Sequence, residues 1–313
     1  EHGWEGQRRS LLNERRSEQL ASIVELEQQN PLTITSKEVS DDLEKWLSRQ
    51  ALQEGKRLEN LMNQLWKGIN WKKNHRVLVL TPSSLLWSLK PLREVSEGGV
   101  ILAVSDEIHP RLLAELEFLD PLERPLLIDS KVESIKKLQD NLKFEVIGGR
   151  IPWKIFSKTN FSEMWPIITE KCTLNAELSL IISTPCSGPA LSIKESLNVS
   201  SNNEKTDFSL LGDLILKEDR WLNKQDQKDK FIRQLEKLGW NISSEEWTEV
   251  VHQKVDRSVI ERWLHEGSEY RQIILKSYKE ETLAPLKELF KKLEGVTIKQ
   301  KLIHTKLLAK FNN

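Results

Sequence analysis

The sequence predicts an α/β fold: a doubly wound, mostly parallel Rossmann-type sheet behind a helical lead-in. Three observations carry this. Arg76-Val-Leu-Val-Leu80 is a short, continuous apolar run, the mark of a strand covered on both faces. It passes straight into Thr81-Pro-Ser-Ser-Leu-Leu86, which reads as a turn and a helix start. Further apolar runs then alternate with helical stretches through short connections, the pattern of right-handed β-α repetition.

Residues 8–28 place Leu11, Leu12, Leu20, Ile23 and Leu26 at helical spacing, and Pro31-Leu-Thr-Ile-Thr-Ser36 breaks that helix. Ser40-Asp-Asp opens a second helix with an N-cap signal and first-turn acids. It runs to about Trp66 on a stripe of Leu43, Trp46, Leu47, Leu58, Leu61, Met62 and Leu65, with Gly55 a weak point. Residues 1–70 form the lead-in and 71–313 the α/β domain. In that domain Val77–Leu80 is strand one, and a short helix over 84–92 is interrupted by Pro91. Strand two is Gly98–Val104, followed by a helix over 110–119 with proline in its tolerated first turn. Strand three spans 125–129, a helix 133–141, strand four 144–147, a helix 161–171 and strand five 177–183. Beyond the polar stretch 198–207, read as a loop, helices fall at 208–217 and 229–238. Trp240–Val255 contains an extended stretch, and helices at 257–267 and 283–293 flank a polar segment. Thr297–Phe311 alternates apolar and polar residues and reads as a closing edge or hairpin strand.

Composition narrows function. Lys+Arg and Asp+Glu number 47 each, so no basic excess grips nucleic acid over the whole surface. No apolar run reaches bilayer length, and no signal peptide is present, so no membrane partner is expected. Two cysteines, Cys172 and Cys186, make neither a disulfide scaffold nor a zinc site, which suits a reducing cytoplasm. The six histidines are scattered, and solvated or core-satisfied roles are expected of each. There is no phosphate loop and no zinc-binding histidine pair, and no metal ligand or catalytic residue stands out. Eleven tryptophans against two tyrosines read mostly as core anchors. The chain opens on Glu1 rather than Met, as expected of a segment of something longer.

Ligands of open α/β sheets sit beyond the carboxyl ends of the strands. That rule selects Thr81, Ser83 and Ser84 after strand one, Asp106 after strand two, and Asp129 after strand three as cofactor-binding candidates. Asp106 could accept ribose hydroxyls and Asp129 an adenine amine; each could equally cap the element that follows. Ser83 and Ser84 could meet an anion at the helix start, or Ser83 could simply cap the helix. Against a cofactor, this turn holds no glycine, while Pro82 removes a donor and Leu85 and Leu86 add bulk. Gly148, Pro152 and Trp153, after strand four, are substrate candidates. Gly148-Gly-Arg-Ile-Pro-Trp153 loosely resembles the polar-Pro-Pro-aromatic segment of amino-methyltransferases, without its leading amide or carboxylate.

Larger resemblances follow. Glu1-His-Gly-Trp4 resembles the closing segment of the replication-associated recombination protein A (MgsA) family of AAA+ ATPases. Arg76-Val-Leu-Val-Leu80, Ser84-Leu-Leu-Trp87, Gly98-Gly-Val100, Leu119-Asp-Pro-Leu-Glu-Arg-Pro125, Gly148-Gly-Arg150 and Arg262-Trp-Leu264 resemble a C-terminal extension found in some members, similar to a class I S-adenosylmethionine methyltransferase. The resemblance spans nearly the whole chain. It implies an ATPase module upstream in the same polypeptide and a setting in replication-fork maintenance and recombinational repair, with repair proteins or forked DNA as partners. It implies S-adenosylmethionine as cofactor if the domain is active. The cofactor loop matches in position only, at Thr81 to Leu85. A degenerate, non-catalytic domain is therefore expected, with an active methyltransferase and a DNA-binding accessory domain as alternatives.

Overall fold

The computed structural model describes residues 55–312 except 118, 140, 153–158, 199–205, 223–224, 267, 277 and 293. The helix expected over 8–28, the break at 31–36, the Ser40 N-cap, Leu43, Trp46, Leu47, Trp153 and most of the 198–207 stretch lie outside the described residues.

Helix α1 is described over 55–66. Strand β1 (Arg76–Leu80) follows, then a 3-10 turn, Leu85–Ser88, leading into α2 (Leu89–Glu94). Pro91 lies in the first turn of α2, where its missing N–H has no intrahelical partner to lose. Next come β2 (Gly99–Val104), α3 (His109–Leu116), β3 (Leu126–Asp129) and α4 (Val132–Lys136). β4 (Phe144–Pro152), α5 (Thr159–Glu170), β5 (Cys172–Pro185), α6 (Pro189–Asn198), α7 (Thr206–Leu222) and α8 (Gln225–Lys237) continue the chain. It closes with β6 (Trp240–Lys254), α9 (Arg257–Leu264), α10 (Glu269–Leu275), α11 (Leu283–Lys291) and β7 (Thr297–Phe311).

One seven-stranded sheet has the order β3-β2-β1-β4-β5-β7-β6. The first five strands are mutually parallel, and β7 runs antiparallel to both β5 and β6. The fold class is the doubly wound, mostly parallel Rossmann-like one that the sequence predicts. The apolar runs explain it: Val77, Leu78, Val79 and Leu80 are all fully buried, because helices cover both faces. Each such side chain contributes about 1.5–3 kcal/mol by leaving water. On one face Val77, Val79, Val146 and Ile181 pack with Leu58, Leu61, Leu65 and Trp66 of α1 and with Trp87. On the other, Leu78, Leu80, Ile147 and Leu180 pack with Phe161, Trp165 and Leu235.

Three expectations need correction. β4 does not stop at Ile147 but continues to Pro152, so Gly148 is a mid-strand residue rather than part of a loop. Glycines read as a strand end, yet here they stay in the ladder because other groups approach them closely. β7 is not the edge: it lies between β5 and β6, and His304, Thr305, Lys306 and Leu307 are buried. The polar segment after α9 contains a helix, α10, with the Ser268 side chain accepting from Arg271 N as its N-cap.

β5 pairs with β7 only as far as Pro185 against Leu302, while β6 and β7 remain paired out to Lys254 and Thr297. The β6–β7 ribbon thus projects past the carboxyl ends of the parallel strands. A third apolar cluster forms there, where Val255 and Ile298 join Ala190, Ile193, Leu211, Leu214, Val259, Ile260, Ile274, Leu286 and Phe290 of α6, α7 and α9–α11.

Candidate functional site

The carboxyl end of β1, beside β4, is where this topology places a ligand, because strand order reverses there. The chain leaves β1 through Thr81, whose φ of 47° is left-handed and unusual for a β-branched residue. Its N–H donates to Ala103 O at 3.0 Å and its hydroxyl to Arg150 O at 3.4 Å. Ser83 does not cap the helix; its Oγ accepts the Trp87 indole N–H at 3.0 Å. The N-cap position is Ser84, a buried residue whose side chain makes no capping bond. Glu115 of α3 takes that role. Its buried carboxylate accepts the Leu85 N–H at 2.7 Å and is held from the other side by Arg111 Nε at 2.9 Å. The Glu115 carboxylate thus occupies the helix start, the place an incoming carboxylate or phosphate would need.

Bulky side chains pack beside the turn as well. Leu85, Leu86 and Trp87 are buried. The Trp66 indole packs on Gly148, so close that a Cβ there would come within 2.3 Å of the ring. The same indole donates its N–H to Trp87 O at 2.9 Å. Arg150 sets its guanidinium over the Trp87 ring, 5.3 Å from the centroid. Gly149 is needed for a second close approach, since a Cβ there would stand 2.4 Å from Leu80 O.

Sequence reasoning missed a polar ladder running from Arg150 across the carboxyl end of the sheet. Arg150 Nε donates to Ser183 Oγ at 3.3 Å. Ser183 Oγ stands 2.9 Å from His304 Nδ1, and His304 Nε2 stands 2.9 Å from Glu249, which also receives Arg57 of α1 at 3.1 Å. With the arginine donating to Ser183, the hydroxyl hydrogen goes to Nδ1 and the Nε2–H to the carboxylate. Burial pushes the Glu249 carboxyl up, but the hydrogen bond from His304 and the Arg57 charge outweigh it and hold the group below its ordinary value. His304 is fully buried, with Trp247 beside it at 5.2 Å. It is the core-satisfied histidine the sequence suggested, joining four strands and α1. Because its partners lie on β5 and β6, no local motif announces it.

Of the two aspartates, Asp106 is exposed and Asp129 half-buried. Asp106 receives Lys131 Nζ at 2.9 and 3.1 Å, and Asp129 stands 3.8 Å from the same ammonium. This pairing, chiefly the hydrogen bond to Asp106, raises the lysine's pKa. The structure brings Thr81, Ser83 and Ser84 together and brings Asp106 and Asp129 together around Lys131. Gly148 lies in β4 beside β1, against the Trp66 ring. Among the described residues no group of three histidine, cysteine or acidic side chains could hold a metal, and no helix is long and apolar enough to cross a membrane.

At the turn where the resemblance implies S-adenosylmethionine, the Leu85 N–H is taken by Glu115, Leu85 and Leu86 are buried, and Asp106 is paired with Lys131.

Solved structures similar to this chain include three from different organisms. The YcgJ protein of Bacillus subtilis has 12% identity and a TM-score of 0.46, over 82% of this chain and 99% of that one. A precorrin-6y C5,15-methyltransferase of Geobacter metallireducens has 8% identity and a TM-score of 0.40, over 88% and 95%. A phosphoethanolamine N-methyltransferase of Haemonchus contortus, solved with S-adenosylhomocysteine, has 11% identity and a TM-score of 0.39, over 82% and 52%. No protein-family model matches the chain, and no curated protein matches it significantly.

Proposed function

We propose that this chain is a methyltransferase-like domain without methyltransferase activity, serving as an interaction or regulatory module. The observation that supports it is the self-occupied turn after β1, where the Glu115 carboxylate accepts the Leu85 N–H and Leu85, Leu86 and Trp87 are buried in the core. Calorimetric titration with S-adenosylmethionine tests it. No saturable heat is expected. Saturable binding that Asp106→Ala abolishes would instead establish the active alternative, with Ser83, Asp106 and Asp129 holding the cofactor.

The module's attachment is proposed from the motif resemblance alone: an AAA+ ATPase of the replication-associated recombination protein A type, upstream in the same polypeptide and acting in replication and recombinational repair. The reading frame preceding Glu1 tests this directly, since an in-frame Gly-x-x-x-x-Gly-Lys-Ser/Thr is expected there. Its absence removes the proposed setting but leaves the cofactor reading intact.

A further inference from the structure

β6 ends the sheet. It pairs with β7 along 15 residues in unbroken register, and among the described residues no strand lies on its other side. Long, regular edges are templates for another strand, and proteins usually blunt them with charged side chains, proline, a bulge or a short length. Residues 240–254 contain no proline or glycine, and the register shows no bulge. Residues 243–246, 248, 250, 252 and 254 are exposed.

The side chains alternate, so one face of β6 carries Glu246, Thr248, Val250, His252 and Lys254. That row is self-complementary. In an antiparallel pairing about a two-fold axis through Val250, Glu246 faces Lys254 of the second copy, Thr248 faces His252, and Val250 faces Val250. Both copies make both ion pairs, as an isologous contact requires. One exposed apolar side chain then gains a reason: Val250 is 52% exposed and stands at the centre of the pairing. Glu246 keeps half of its side chain exposed although Lys228 reaches it at 2.5 Å, so it can accept a second cation. The competing register, centred on Trp247 with complete overlap, sets Glu245 opposite Glu249 twice, and like charges directly opposite destabilise a pair.

We propose that a second copy of this chain docks at this edge, β6 against β6 about Val250, joining two seven-stranded sheets into one. This goes beyond the cofactor reading and does not depend on it. Sedimentation of the full chain tests it. A dimer is expected, weakened at least about tenfold by Lys254→Glu alone and by Glu246→Lys alone. Mixing these two variants should restore it, because each contact then joins a lysine to a glutamate. Val250→Cys should cross-link the two copies under mild oxidation, whereas the parent chain should not. A monomer at every concentration, including one that takes up an extended peptide at this edge, overturns the proposal. So does a dimer indifferent to all three substitutions, or one that mixing fails to restore. Circular dichroism of each variant confirms that the exposed substitutions leave the fold in place.

Discussion

Gly148 and Glu115 show how single residues close the ligand end of the sheet. Gly148→Ala drives a methyl group into the Trp66 ring, and the overpacking should cost about 1–3 kcal/mol, read as a lower urea midpoint. Glu115→Ala strands the buried Leu85 N–H and frees Arg111, so a loss of about 1–3 kcal/mol is expected in the same measurement. Glu218 of α7 behaves differently. Its carboxylate accepts the N–H groups of Ala190 and Leu191 at the start of α6 and the Tyr270 hydroxyl. Burial pushes its pKa from 4.5 to about 7, against those hydrogen bonds. An acid with a raised folded-state pKa holds its proton more tightly when folded. Its contribution is therefore full below the unfolded value and is lost as pH rises through the folded one. Over that window stability should fall by up to about 3 kcal/mol. Urea midpoints from about pH 5 to about pH 8 should trace the decline, and Glu218→Gln should flatten it.

Among the elements, α1 is more tightly bound to the sheet than a lead-in suggests. The Ser179 hydroxyl donates to Leu65 O, Lys306 Nζ donates to Lys67 O at 2.6 Å, and Arg57 reaches Glu249. Cations are favoured at the negative end of a helix, which accounts for a lysine only 5% exposed. Trp66→Ala should cost about 3–5 kcal/mol. Hydrogen exchange should accelerate first over 55–66, with β5 and β7 remaining protected. The parallel strands were legible in the sequence because burial on both faces writes them as apolar runs. β6 was legible from its extended stretch. The site was less so: its bonds join residues 21, 30 and 121 positions apart, as in Trp66–Trp87, Leu85–Glu115 and Ser183–His304. No spacing rule reaches that far. The missing glycines at 81–86 were readable; what fills their place was not.

At the scale of the molecule, a strand placed last among these elements lies inside the sheet. β7 supplies the second neighbour of β5 and joins β6 to the sheet, and its residues Leu307, Ala309 and Phe311 complete the core beneath α5 and α8. During synthesis, β5 must therefore wait, half paired, while more than one hundred residues of helix and ribbon are translated between Pro185 and Thr297. A growing chain in that interval carries an open, apolar strand that invites misassociation. Emergence of β7 is the event that seals it, so a stop or frameshift ahead of Thr297 would deprive the whole sheet of its keystone.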